Sequence, residues 1–256
     1  MAHPVTVMWT TPRSRSTAFE RMMIERGDHT VLDEPFSARY YFSTERRSAR
    51  YAPEEPDATG EAVLESILAE AQTAPVFVKD MAYHVSGLLG TQYRGSELLG
   101  HFTNTFLVRE PRSALRSLAR KWPDFTDEEA GYDALAGAFD RACSIGRGST
   151  PVVLDADELA ADPERIVAAW CDAVGIDAMP EALTWEPGMV PQWVRWQDWY
   201  AGVAASDGFN PPAPPAAMVP DDRAPQVHDG LLADRQELLE RCSHTYERLA
   251  AVRVSR

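Results

Sequence analysis

No apolar run in the chain approaches the roughly 20 residues that a membrane-spanning helix needs, so no membrane partner is expected. The N-terminus lacks the basic region, apolar stretch and small-residue cleavage pattern of a secretory signal, and the expectation is a cytoplasmic protein. Cysteine is scarce. Cys143, Cys171 and Cys242 are odd in number, far apart and in no CxxC pair, which argues against both a disulfide framework and a zinc site. Positive charge is also in short supply. With 25 Lys and Arg against 39 Asp and Glu, the formal net charge is −14, and nonspecific nucleic-acid binding or attachment to anionic lipid, which rest on clustered cations, are excluded. The basic residues that are present do cluster, however. Arg13 and Arg15 fall in one short segment and Arg109, Arg112 and Arg116 in another.

Those two segments share a pattern. Val5-Thr6-Val7-Met8-Trp9 is a short apolar run followed at once by Pro12-Arg13-Ser14-Arg15-Ser16-Thr17-Ala18, which reads as a buried strand, an anion-binding turn and a helix start. The first amides of a helix lack intrahelical partners and carry the positive end of its dipole, so they converge on an oxyanion. Ser14, Ser16 and Thr17 add hydroxyls, and Arg13 and Arg15 add charge. The lysine and magnesium-binding hydroxyl of a GxxxxGK[ST] nucleotide loop are missing. Phe106-Leu107-Val108-Arg109-Glu110-Pro111 repeats the theme: a strand, a proline-marked turn, and a helix carrying Ser117.

Short β-branched runs at 5–9, 76–78, 105–108 and 151–154, with a weaker one at 29–32, are continuous rather than alternating, as in strands buried on both faces of a parallel sheet. Between them, 17–26, 60–72, 113–121, 130–145 and 163–174 carry apolar residues at helical spacing. The fold expected is α/β: a doubly wound parallel sheet flanked by helices, with right-handed crossovers and both turns at the carboxyl ends of strands. At 256 residues the chain fits a single domain over 1–256. Residues 39–59 are polar and irregular and read as a mobile lid or substrate segment. Residues 210–225 are proline-rich and read as an extended loop. Residues 229–250, capped by Asp229, read as an amphipathic C-terminal helix.

With PRSRST first and the RxPxxxxxS arrangement of Arg109 to Ser117 second, the chain resembles the sulfotransferases that use 3'-phosphoadenosine 5'-phosphosulfate (PAPS) and release adenosine 3',5'-bisphosphate (PAP). A third likeness is the strand and acidic loop Val152-Val153-Leu154-Asp155-Ala156-Asp157-Glu158, followed by Asp162-Pro163 and a helix. Asp33-Glu34-Pro35-Phe36 and Val78-Lys79-Asp80-Met81 are similar to bacterial and plant sulfotransferase-like proteins. The resemblance implies a P-loop-NTPase-like sulfotransferase fold and transfer of a sulfuryl group to a hydroxyl of a small-molecule acceptor, without an obligatory metal. It places the 5'-phosphosulfate on residues 13–18, including Ala18, and the 3'-phosphate on Arg109 and Ser117, with Arg13 stabilising charge at the bridging oxygen. Specialised metabolism is the context it suggests.

In these relatives the glutamate of the EP motif is the proposed base, which points to Glu34, with Asp33 as a neighbour able to replace it. Lys79 matches a lysine of the animal cytosolic enzymes and reads as a second cation on the transferred group, but Met81 stands where those enzymes carry histidine. His84, three residues on, is within reach of the same site, although a lone histidine is more often a structural hydrogen-bonding residue. Trp185, Trp193, Trp196 and Trp199 gather aromatic surface near the end of the core, for packing or for stacking on a ligand ring. Two other readings stay open: a noncatalytic PAP-binding protein, and a P-loop kinase using ATP. A homodimer also stays open.

Overall fold

The computed structural model describes residues 2–93, 96–146, 150–209, 232 and 234–254. Its centre is a five-stranded sheet of β1 (Val5–Thr10), β2 (Thr30–Asp33), β3 (Val76–Met81), β6 (Thr103–Val108) and β7 (Val152–Asp155), in spatial order β2-β3-β1-β6-β7 with every pairing parallel. A separate two-stranded antiparallel hairpin joins β4 (Gln92–Tyr93) to β5 (Ser96–Glu97). All five expected runs are strands of the one sheet. Their continuous apolar character follows from burial on both faces: Val5, Val7 and Trp9 of β1 enter one apolar cluster with Val76, Val78 and Phe106, while Met8 enters the other with Phe77 and Leu107. Period-two alternation between two dry faces favours apolar residues at successive positions, with the polar exceptions Lys79 and Asp80 at the carboxyl end of β3.

Helices α1 (Ser16–Arg26), α3 (Gly60–Glu70), α4 (Pro111–Lys121), α6 (Tyr132–Ile145) and α8 (Pro163–Val174) occupy the segments that periodicity marks as helical. Four more were not expected: α2 (Phe36–Phe42), α5 (Asp127–Ala130), α7 (Ala156–Ala161) and α9 (Gln197–Ala204). The helix expected over 130–145 starts at Tyr132, because Ala130 closes the short α5 and Gly131 separates the two. Gly131 adopts φ +84 between α5 and α6, a conformation that only glycine takes without strain, and Thr126 with Glu129 forms a capping box at the start of α5.

The C-terminal helix α10 (Gln236–Ala250) begins seven residues later than the 229 expected from periodicity, with Arg235 at its N-cap. The Asp229 cap and the proline-rich loop at 210–225 lie outside the described residues. The segment 39–59 is not irregular throughout, because residues 39–42 complete α2 and Arg39, Tyr40 and Tyr41 are buried. It is also tied to its surroundings. Arg39 donates to the Ser86 carbonyl at 2.8 Å, Arg47 pairs with Glu128 at 2.9 Å, and Arg50 pairs with Glu129 and Asp124, each at 2.8 Å. All three cysteines are free thiols. Among the described residues no helix is long and apolar enough to cross a membrane.

The chain builds β2 and β3 on one side of β1 and β6 and β7 on the other. The β1/β6 boundary is therefore the switch point of the sheet, and the crevice outside the carboxyl ends of these two strands is where ligands bind in folds of this architecture.

Candidate functional site

The turn after β1 is backbone-strained in a patterned way. Among the described residues, the only non-glycine positions with positive φ are Arg13 (63), Arg15 (67) and Glu34 (46), and all three line one cavity of about 310 Å³. Left-handed backbone costs a side-chain-bearing residue of order 1–2 kcal/mol, so the fold holds these three in place against a local preference for relaxing. Arg15 is the N-cap of α1, whose first turn has no acidic residue and no side-chain cap on its amides. Ser16, Thr17 and Ala18, the first three residues of that helix, line the cavity. A helix start without a side-chain cap leaves amides and the positive end of the dipole turned toward the cavity, the chemistry an anion would meet there.

The second turn meets the first. Arg13 Nε donates to Ser117 Oγ at 3.0 Å, and Arg109 donates to the Arg13 carbonyl at 2.8 Å. Glu110 caps α4 through the amides of Arg112 and Ser113, and Tyr132 donates to the Arg109 carbonyl at 2.7 Å, which fixes the start of that helix. Burial, then the charges of Arg109 and Arg120, lower the pKa of Arg13. Burial, then Arg109, lower that of Arg15, with Asp157 opposing. Like charges gathered in a half-buried nest are relieved by an anion. Asp157 on α7 stands 3.6 Å from Arg15 Nε and 3.5 Å from Arg109 Nε, a partial internal counter-ion for both.

Three expected ligands sit differently. Ser117 does not line the cavity, and its hydroxyl accepts from Arg13 Nε. Ser14 is fully buried and does not line the cavity. Its hydroxyl is paired with that of Thr10, so only the turn's backbone at this position is left for a ligand. Lys79 is a correction as well. Its Nζ is wholly buried, bonded to Glu34 Oε1 at 2.6 Å and Asp33 Oδ1 at 2.5 Å, with Glu20 at 3.4 Å and Tyr200 Oη at 3.1 Å, and it does not line the cavity. Three carboxylates around one ammonium explain why it does not serve as a free cation. Burial disfavours charge on Lys79, but Asp33, Glu20 and Glu34 outweigh it and hold its pKa well above the usual lysine range. Burial and the Asp33 charge push Glu20 well above the carboxylate range.

Glu34 follows β2 directly, and its amide continues the ladder to the Lys79 carbonyl at 2.8 Å. Its Oε1 is held by both Lys79 and the Tyr200 hydroxyl, the latter at 3.2 Å, and the side chain lines the cavity. Tyr200 also donates to Asp33 at 2.9 Å. His84 lines the cavity too. Its Nδ1 lies 2.7 Å from Asp80 Oδ1, and Asp80 Oδ2 accepts the Phe36 amide at 2.8 Å. Burial lowers the His84 pKa to about 4, so its ring is neutral.

The far wall is aromatic. Tyr41, Tyr83, Trp122, Trp196 and Trp199 line it with Met81, and Phe209 and Tyr200 close the remaining side. Of the four tryptophans singled out in the sequence, Trp196 and Trp199 face the cavity. Trp185 and Trp193 are buried beside the Arg21 guanidinium, 5.9 Å from each ring. Tyr41 falls in the 39–59 segment read as a lid or substrate segment and Tyr200 directly follows Trp199, whereas Tyr83 was not anticipated. No periodic signal brings Tyr41, Tyr83, Trp122 and Tyr200 together, since each reaches the cavity from a different element.

A family model described as a sulfotransferase domain matches residues 5–229. The chain belongs to that family. Two curated relatives from Arabidopsis thaliana are similar to it: "Branched-chain-amino-acid aminotransferase-like protein 2", 32% identical over 80% of this chain and 36% of the relative, and "Branched-chain-amino-acid aminotransferase-like protein 1", 30% identical over 83% and 38%. The chain thus spans little more than a third of the curated relatives it matches. Among solved structures, the "Sulfotransferase Domain from the Synechococcus PCC 7002 Olefin Synthase" aligns with TM-score 0.46 and 15% identity, covering 90% of this chain and 95% of that one. The "Sulfotransferase Domain from the Curacin Biosynthetic Pathway" aligns with TM-score 0.46 and 14% identity, covering 92% and 99%.

Proposed function

We propose that the chain is a PAPS-dependent sulfotransferase acting on a hydroxyl of a small-molecule acceptor. The observation that carries this reading is the junction of the two turns. Arg13 reaches Ser117 and Arg109 reaches the Arg13 backbone, so the segments assigned by resemblance to the 5'-phosphosulfate and the 3'-phosphate lie side by side at one cavity. The residues fit such a group: a helix start without a side-chain cap and a nest of mutually repelling guanidiniums, in a chain whose overall net charge is −14.

When bound, PAPS supplies an activated sulfuryl group whose leaving group is PAP. The amides and hydroxyls at Ser16 and Thr17 would hold its 5' end, with Ala18 lining the cavity beside them while its amide donates to the Arg15 carbonyl at 3.1 Å. Arg109 and Ser117 would hold the 3'-phosphate, the guanidinium by its bidentate fork. Arg13, between them, would offset charge developing on the leaving oxygen. Glu34 would take the acceptor proton, its carboxylate oriented by Lys79 and Tyr200. The scheme assigns no step to a metal.

A thermal-shift titration with PAP, PAPS, ATP and GTP tests donor identity, because a ligand that binds only the folded state raises its apparent stability. Stabilisation by PAP and PAPS alone is expected. Stabilisation by ATP with magnesium and not by PAP overturns the reading in favour of a kinase. PAP binding with no sulfated product over a broad acceptor panel, followed by mass spectrometry, overturns it in favour of a noncatalytic binding protein.

A further inference from the structure

Helix α1 carries a carboxyl group that the proposed scheme leaves without a task. Glu20 follows Phe19 and precedes Met22 and Met23, and all four are 0% exposed. The three apolar side chains belong to the cluster under the sheet, while Glu20 stands one turn on from Ser16 of the cavity. Neither oxygen of its carboxyl group has a hydrogen-bond partner among the described residues. Its ion-pair partner is Lys79, 3.4 Å from Oε2.

A count of donors gives the reason. An ammonium has three N–H groups. Those of Lys79 meet Asp33 Oδ1 at 2.5 Å, Glu34 Oε1 at 2.6 Å and the Tyr200 hydroxyl at 3.1 Å, so Glu20 is a fourth neighbour for three donors. An ionised carboxylate only accepts, and burying one without a donor is strongly disfavoured. Charge points the same way. With Glu20 ionised, three buried carboxylates would share one ammonium, and with Glu20 protonated only two do. Burial and the Asp33 charge accordingly hold Glu20 well above the usual carboxylate range.

We infer that Glu20 is a positioning residue for the proposed base and acts through Lys79: held as a neutral acid, it leaves the ammonium free to orient Glu34. This rests on the sulfotransferase reading and deepens it. When Glu20 gives its proton to solvent at alkaline pH, the new carboxylate competes for a Lys79 N–H, and Glu34 loses the contact that fixes its Oε1. The groups facing Glu20 are Asp33 and Glu34 at the end of β2, Lys79 of β3 and Tyr200 of α9. Asp80 points to the other face of the sheet, toward Phe36 and His84. On α1 itself, Arg21 turns to Glu25 and to the Glu186 and Gly188 carbonyls. Asp198 of α9 and Glu181 of the turn Pro180–Leu183, which also packs on α1, are exposed.

In the unaltered chain, with its glutamates isotopically labelled at the side-chain carboxyl, the infrared spectrum at neutral pH is expected to hold the label-shifted carbonyl band of a protonated glutamate. Absence of that band, or its persistence in Glu20→Gln, overturns the inference. Urea denaturation supplies the sign independently. An unfolded glutamate titrates near ~4.3, so above that pH the folded chain keeps a proton that the unfolded chain has lost. The contribution of Glu20 to stability is complete below about pH 4.3 and is lost as pH rises toward the folded value. Glu20→Gln carries no such loss, and its folding constant relative to the parent is expected to grow by up to roughly tenfold per pH unit. A flat ratio, or one that falls with pH as for an ionised partner of Lys79, overturns the inference. Positioning is read from PAP release by PAPS in aqueous ethanol, where either hydroxyl serves as acceptor and neither ionises over the range. The parent kcat is expected to fall on the alkaline side by up to about tenfold per pH unit, and Glu20→Gln to lack that fall. Superimposable profiles overturn the role. Absence of any PAP thermal shift or PAP release in the unaltered chain instead removes the sulfotransferase reading, and leaves the infrared band and the urea slope standing.

Discussion

Glu34 and His84 face one cavity with opposite constraints. Glu34 is anchored through Oε1 by Lys79 and Tyr200, so replacing it with an isosteric amide leaves its shape and removes its basicity. Glu34→Gln is expected to leave PAP affinity intact in a calorimetric titration and to slow transfer by about 10²–10⁴-fold, the usual worth of general-base catalysis. Unchanged turnover removes Glu34 from that role. His84 is legible in a second way, through pH. Its folded pKa is about 4, while an unfolded histidine titrates near ~6.5. The unfolded chain therefore binds the extra proton first. This contribution to stability is complete above about pH 6.5 and is lost as pH falls toward 4, by up to roughly 3 kcal/mol. Asp80, Glu34, Lys79, Glu129 and Arg39 surround the ring and shape the curve. Urea denaturation at stepped pH is expected to show this slope in the parent chain and a shallower one in His84→Asn. The roles of these residues were only partly visible beforehand. Glu34 announces itself through the Pro35 that follows it, but the engagement of Lys79 by Glu20, Asp33 and Glu34 joins residues far apart in sequence and is created by the sheet.

At the scale of elements, what the sequence disclosed and what it withheld divide by the range of the interaction. The five strands were readable because burial on both faces leaves an unbroken apolar run. The helices α1, α3, α4, α6 and α8 were readable because each carries its own period, with Asp162-Pro163 starting α8 and Gly175 ending it. Helix α2 was missed because its first amide is capped by Asp80, forty-four residues away. The break between α5 and α6 was missed because Gly131 acts by a backbone angle that the apolar spacing does not record. That glycine also underlies the candidate site. A Cβ there would stand 3.3 Å from Pro12 Cδ and from Tyr83 Cδ1, and 3.4 Å from Thr11 Cγ2. Gly131→Ala is expected to destabilise the fold by about 1–2 kcal/mol through its positive φ and to weaken PAP binding by displacing the Pro12 turn. Urea denaturation with a PAP titration checks both, and a variant as stable as the parent would show that the turn accommodates the methyl.

Over the whole molecule, the net charge of −14 opposes an anionic ligand at long range while the arginines of the two turns attract it at short range. Added salt screens both, with a Debye length of roughly 10 Å at 0.1 M. The short-range pairs dominate because they are partly buried, so PAP affinity is expected to fall only a few-fold between about 0.05 and 0.5 M NaCl. A loss of several orders of magnitude in calorimetry would instead mark the site as open and solvent-screened. The three left-handed residues carry a consequence for how the chain tolerates change. Arg15 has φ 67, and Arg15→Gly is expected to raise stability by about 1 kcal/mol, read as a higher midpoint in urea, while weakening PAP binding. A library selected for heat resistance alone would therefore accumulate glycine at 15 but keep Glu34, whose carboxylate pairs with the buried Lys79 ammonium. One selected for turnover would hold Arg15 against the gradient.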